Sequence, residues 1–161
     1  MAKYFLESSA FVKRYKNENG SAFINGIFNG QDELFYLNLS LIEIQKIFYR
    51  LWKYPLQQDI QQNIQITEKE FKVLMSRFAS DLQQTFMHRI ELTEEMIKNV
   101  TSVLEVIWIR SVFDMVHISA YLMVRQEYSD IIFVCSDFRS NLVQAAKKFV
   151  PEEFVIIPES T

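Results

Sequence analysis

Ile131-Ile132-Phe133-Val134-Cys135-Ser136-Asp137 is five apolar residues in a row, then a hydroxyl and a carboxylate. A strand with one wet face alternates apolar and polar side chains. An unbroken apolar run of this length belongs to a strand covered on both faces, at the centre of a parallel sheet. Upstream, Ser111 to Tyr128 reads as a long helix; downstream, Asp137 opens a last helix before the strand Phe154-Val155-Ile156-Ile157. The same order recurs at the start of the chain. Tyr4-Phe5-Leu6 is a short apolar run that stops at Glu7-Ser8-Ser9, where a serine hydroxyl can cap the helix over Ala10–Lys16.

Between these ends the pattern continues. Ser21 to Phe28 has Phe23, Ile24, Ile27 and Phe28 at helical spacing, and Leu34 to Leu37 is a second strand. Ser40 opens a helix carrying Ile44, Ile47, Phe48, Leu51 and Trp52, interrupted at Pro55. The glutamine-rich stretch 56–66 holds Leu56, Ile60 and Ile64 at four-residue intervals, a narrow helical stripe. Thr67-Glu68-Lys69-Glu70 is a capping box ahead of Phe71, Leu74, Met75, Phe78 and Leu82. Phe86 to Leu92 alternates with charges on one side, which suits an edge strand, and Thr93-Glu94-Glu95 starts a helix reaching about Val106. Five strands separated by helices predict one doubly wound α/β domain over residues 1–161.

Composition narrows the function classes. No segment approaches the roughly 20 uninterrupted apolar residues of a membrane span. Met1-Ala2-Lys3-Tyr4 enters a strand without the features of a secretory signal, so the cytoplasm is the expected compartment. Cys135 is the only cysteine, which rules out an internal disulfide and reads as a small buried hydrophobe. The 14% aromatic fraction predicts a thick core together with an apolar association surface. A net charge of −3 argues against indiscriminate nucleic-acid binding. It does not exclude a phosphodiester substrate, because a bound metal would neutralise an acidic cluster locally.

Four acids occupy equivalent places in successive strand–helix or helix-start units: Glu7, Glu43, Asp114 and Asp137. In a parallel sheet these places converge just outside the carboxyl ends of the strands. Carboxylates gathered there raise one another's pKa unless a cation neutralises them, so the set predicts a divalent metal site. Hard oxygen ligands suit Mg²⁺ or Mn²⁺, and a carboxylate cage of this kind serves in-line phosphodiester hydrolysis. Taken singly, three of the four have a structural explanation. Ser40-x-x-Glu43 is also a capping box, Asp114 follows Ser111 by three residues, and Asp137 is a natural N-cap. Glu7 has the weakest such excuse, since Ser8 and Ser9 are better caps. His88 and His117 read as structural, and Lys13, Arg14, Lys16, Lys46, Arg50 and Arg139 as basic residues flanking the crevice or as solvated faces. No phosphate-cradling glycine loop and no zinc spacing occurs.

At these motifs the chain resembles the PIN-domain family, specifically VapC-type toxin ribonucleases. Lys3-Tyr4-Phe5-Leu6-Glu7-Ser8-Ser9-Ala10-Phe11-Val12-Lys13-Arg14-Tyr15 is similar to that family's first strand and helix. Ser40-Leu41-Ile42-Glu43-Ile44, Asp114-Met115-Val116-His117-Ile118-Ser119-Ala120 and Phe133-Val134-Cys135-Ser136-Asp137-Phe138-Arg139 are similar to its second, third and fourth motifs. The resemblance implies a parallel sheet in the order 3-2-1-4-5 and a Mg²⁺- or Mn²⁺-dependent endoribonuclease acting on RNA. It implies that Glu7, Asp114 and Asp137 hold metal, with Glu43 completing the cluster or orienting a water. It also implies a homodimer and a cognate antitoxin whose peptide lies beside the site, with Phe11, Tyr15, Phe23 and Phe28 suited either to that surface or to the core.

The family has Asp where this chain has Glu7, and the extra methylene moves the carboxylate by about 1.5 Å. The alternative expectation is therefore a degenerate PIN domain that binds RNA or protein without cutting. A phosphoacceptor regulatory domain is disfavoured, because the first strand ends in one acid rather than an adjacent pair.

Overall fold

In a computed structural model of the chain, which describes residues 1–61, 64–137 and 141–161 (the side chain of residue 59 aside), the elements follow the sequence pattern closely. β1 (Lys3–Leu6) runs into α1 (Ser8–Phe11) and a 3-10 turn over Val12–Arg14, then α2 (Ser21–Asn29) and β2 (Glu33–Leu37). Next come α3 (Leu39–Lys53), α4 (Gln57–Gln61), α5 (Glu68–Asp81), β3 (Met87–Ile90), α6 (Glu94–Val106) and α7 (Val112–Glu127). β4 (Ile132–Val134), α8 (Leu142–Phe149) and β5 (Val155–Ile156) complete the order, with a closing 3-10 turn at Pro158–Ser160.

The strands form one five-stranded sheet in the expected order β3-β2-β1-β4-β5, every pairing parallel. β1 is central: Phe5 is in register with Phe35 on one side and Phe133 on the other. The sheet buries both faces, as the apolar run in β4 required. On one face Phe5, Phe133 and Tyr121 pack together, with Tyr121 and Phe133 centroids 4.8 Å apart. On the other, Leu6 and Leu34 pack against Phe11, Tyr15, Phe48 and Phe78. The aromatic side chains of the first helices are thus mainly core. Phe11, Tyr15 and Phe28 are buried, and Phe23 meets Tyr4 edge-on. Exposed apolar side chains lie elsewhere, on α3 to α5 (Ile42, Tyr49, Tyr54, Val73) and at the α6–α7 junction (Trp108, Val112, Phe113).

Capping chemistry departs from expectation at the starts of α3 and α8. The Thr67–Glu70 capping box forms, but the one expected at Ser40–Glu43 does not. Asn38 is the N-cap of α3 and spends its side chain on β3's continuation, donating to Glu91 and accepting from the Leu92 amide. Helix therefore begins before Ser40, which is fully buried and free to act elsewhere. α8 begins at Leu142 with Asn141 as its left-handed N-cap (φ 62°), so Asp137 lies ahead of it rather than capping it. Of the expected helical stripe over 56–66, α4 covers Gln57–Gln61; residues 62 and 63 lie outside the described set.

Lys13 and Arg14 serve the scaffold. Lys13 is buried between Glu18 and Glu159, 3.0 and 2.9 Å away, and Arg14 bonds Asp81 and Asn25. Among the described residues no helix is long and apolar enough to cross a membrane.

Truncating Phe5 to Ala removes a fully buried ring from the core on one face of the central strand and should lower stability by about 3–5 kcal/mol, whereas Thr67→Ala on the exposed cap should cost about 1 kcal/mol. Urea unfolding of both variants beside the native chain checks the ranking.

Candidate functional site

The site begins where β1 stops. Glu7 follows Leu6 directly, and its amide continues the ladder by donating to the Val134 carbonyl at 3.0 Å. Its extended backbone (φ −72°, ψ 153°) makes it the N-cap of α1, and the Ser9 amide donates to its Oε2 at 2.8 Å. The expectation that a serine would cap this helix is thus overturned. Glu's longer side chain folds back over the helix start, which frees Ser8 and Ser9 for other partners. The Ser9 hydroxyl donates to the same Glu7 oxygen in a short contact, and accepts from the Ser136 amide at 3.0 Å. Cys135 adds a weak sulfur contact to Glu7 Oε2 at 3.6 Å, and its Sγ in turn receives the Asp137 amide at 3.4 Å. The first and fourth acidic motifs are therefore tied to each other through Ser9 and Cys135.

The second and third motifs meet at a residue read from sequence as structural. His117 sits one turn beyond Asp114 on α7, which places both on one side of the helix. Its ring is fully buried, and Nε2 lies 2.8 Å from Glu43 Oε2. The Ser8 hydroxyl makes a short bond to that same Glu43 oxygen, 3.2 Å from His117 Nε2 and 3.0 Å from Ser40 Oγ. Asp114 is buried, with its amide held by the N-cap Ser111. The Asp-x-x-His spacing within a helix was the signal available in the sequence, and only the burial of the ring reveals its use.

Burial and charge act against each other on these side chains. Burial pushes the Glu7 carboxyl above its ordinary range, against His117 and the Ser9 bonds, which pull it down. Burial also raises Glu43, but the hydrogen bonds from His117 and Ser8 and the charges of His117 and Lys46 outweigh it, leaving Glu43 below its ordinary range. Burial lowers His117, yet the bond to Glu43 and the charges of Glu7, Glu43 and Asp114 prevail and raise it. The imidazole thus bonds Glu43 and feels the charges of Glu7 and Asp114 as well. Asp137 joins from the side, acting on Cys135, whose thiol burial and Glu7 hold well above the usual range. Of the expected basic flank, Lys46 reaches Glu43 electrostatically; Arg139 lies outside the described residues.

The donor chemistry fits a hard divalent cation. Among the described residues the hydrogen bonds to Glu7 land on Oε2, and so do those to Glu43, so each carboxylate is held by one oxygen. That is how metal-binding carboxylates are oriented from behind. The side chains are not gathered into a cage: among the described residues no three His, Cys, Asp or Glu are grouped so as to hold a metal ion.

The fold now has a counterpart. The chain is similar to one in the crystal structure of VapBC2 from Rickettsia felis bound to a DNA fragment from their promoter. The TM-score is 0.56 at 11% sequence identity, over 96% of this chain and 97% of that one. At that identity the likeness establishes the α/β architecture and strand order. No protein-family model and no curated protein matches the sequence.

The Glu43–His117 pair should give stability a two-sided pH dependence. Glu43, with its folded pKa lowered, contributes above its unfolded pKa and loses that contribution as pH falls through the folded value. His117, with its folded pKa raised, contributes below its unfolded pKa and loses that contribution as pH rises through the folded value. Because each partner causes much of the other's shift, urea midpoints measured from acid to mildly alkaline pH should show both arms flattened in Glu43→Gln and in His117→Leu.

Proposed function

We propose that this chain is a VapC-like PIN-domain endoribonuclease, the toxin of a toxin–antitoxin pair, hydrolysing RNA phosphodiesters with Mg²⁺ or Mn²⁺. The observation that carries this reading is the contact of Glu43 with the buried His117 imidazole, Nε2 to Oε2 2.8 Å, with Asp114 one turn before His117 on α7 and Glu7 at the end of the central strand. The architecture shared with the VapBC2 structure supports it, as does the order of the four acidic motifs along the chain.

Glu7, Glu43, Asp114 and Asp137 are the residues that would hold the cation. When bound, such an ion neutralises the carboxylates and phosphate and lowers the pKa of a coordinated water. The chain's own part is orientation. Ser9 holds Glu7 to the start of α1, and Ser8 of α1 with His117 of α7 holds the Glu43 carboxylate that α3 presents. Lys46, whose charge already reaches Glu43, is placed to attract the phosphate backbone.

Partner binding belongs to the same reading. The exposed apolar side chains of α3 to α5, with the cleft lined by Tyr15, Ile66, Val73 and Leu74, are suited to an antitoxin peptide. The Rickettsia felis VapBC2 of the similar structure is itself bound to a promoter DNA fragment. A homodimer is part of the proposal, and so is a cytoplasmic setting.

A second reading has its own observation. Glu7 is committed as a helix cap, and among the described residues the acids are not grouped as a metal cage. A PIN-like domain that binds RNA or protein without cutting would have this form.

Incubating the antitoxin-free chain with mixed RNA in Mg²⁺ or Mn²⁺ separates the two. Cleavage is expected, with Asp114→Asn lowering the rate by about 10²-fold or more and Glu7→Asp raising it, since roughly 1 Å of misplacement can cost about 10²-fold. An inert native chain beside an active Glu7→Asp variant supports the non-cutting reading. If both are inert, the ribonuclease reading fails.

A further inference from the structure

We infer that His117 is a positioning residue, which fixes the Glu43 carboxylate by its Nε2 and thereby turns the other carboxylate oxygen, Oε1, toward the acidic crevice. The inference rests on the proposed metal-dependent reading of this site and deepens it by giving a role to a residue outside the acidic quartet.

The geometry points one way. Histidine on a buried helix face packs no better than leucine, and it brings two polar nitrogens that need partners. Here the ring is fully buried, yet among the described residues Nδ1 has no hydrogen-bond partner. The ring's polar contacts there are all at Nε2: Glu43 at 2.8 Å and Ser8 Oγ at 3.2 Å. A histidine kept for the core would be anchored through both nitrogens or replaced by an aliphatic residue. This one bears an unsatisfied nitrogen in order to reach a carboxylate on a different helix.

What it reaches is also held by a second donor, adjacent to the ring. Ser8, next to the N-cap Glu7, bonds the same Oε2, and the buried Ser40 hydroxyl backs Ser8 at 3.0 Å. Glu43 is thus clamped at a single atom by groups from the first and third motifs. A glutamate on an exposed helix face would rotate freely. One gripped twice at Oε2 has a fixed Oε1. Hydrogen-bonded support behind a ligating carboxylate is worth about 10–100-fold in metal affinity or activity when removed.

The test uses the full-length chain and Mn²⁺ alone as the probe, with titration calorimetry, RNA cleavage and thermal unfolding read on the same preparations. His117→Leu fills the ring's space without a donor, and His117→Gln restores an amide donor close to the Nε2 position. Expected are an about 10–100-fold weaker Mn²⁺ affinity for His117→Leu, a fall in kcat with KM for RNA unchanged, and recovery of most of both in His117→Gln. A folded His117→Leu that binds Mn²⁺ and cuts RNA like the native chain overturns the inference. If the native chain neither binds Mn²⁺ nor cuts RNA, the ribonuclease reading fails, and the thermal cycle of His117→Leu, Glu43→Gln and the double variant still decides the positioning. Unfolding shifts that do not add support the clamp; strictly additive shifts overturn it.

Discussion

The parallel pairing of β1 with a strand on each side is the constraint from which the rest of the molecule follows. β1 contributes four residues to the sheet, and Phe5 stands between Phe35 and Phe133 while Leu6 faces the opposite core. Such a strand cannot slip by one residue without moving an aromatic ring from one core to the other. That fixed register decides where the chain emerges, and the emerging residue is Glu7. The Glu7 amide still belongs to the sheet while its carboxylate belongs to α1. Strand pairing, helix capping and the start of the acidic crevice are therefore properties of adjacent atoms.

The strands and the helical framework were legible because each depends on local signals that tertiary packing reinforces, whereas the strand order was expected from the family resemblance. The apolar run at 131–135 required a strand covered on both faces, and β4 is one. Thr67 and Glu70 made the capping box their spacing suggested, because nothing else competes for their side chains on an exposed helix start. Ser40 and Glu43 had the same spacing and did otherwise. Asn38 was drawn to β3's end, the helix began early, and Ser40 became buried beside Ser8. A local motif yields where a partner distant in sequence offers a better hydrogen bond.

The four acids stood out in the sequence by their positions after strands and at helix starts. The residue that Glu43 bonds, His117, did not stand out in the same way. A lone histidine on an apolar helix face looks alike in sequence whether it packs or binds. The difference lies in the burial of its ring and in the carboxylate that α3 brings to it. Likewise Lys13 and Arg14 were candidates for the crevice by proximity in sequence, but the turn over Val12–Arg14 directs them to Glu18, Glu159 and Asp81.

Lys13 gives the fold a longer reach than its sequence neighbours suggest. The buried ammonium joins Glu18, the Asn19 carbonyl and Glu159. Beside it the chain turns at Gly20 (φ 86°), where an added methyl group would lie 2.8 Å from Pro158. The closing turn of the polypeptide is thereby seated against the turn that continues α1, the helix capped by Glu7. The far end of the chain acts as a buttress for the near end, and a change at Pro158 or Glu159 would be felt as slack in the helix that holds the first acid.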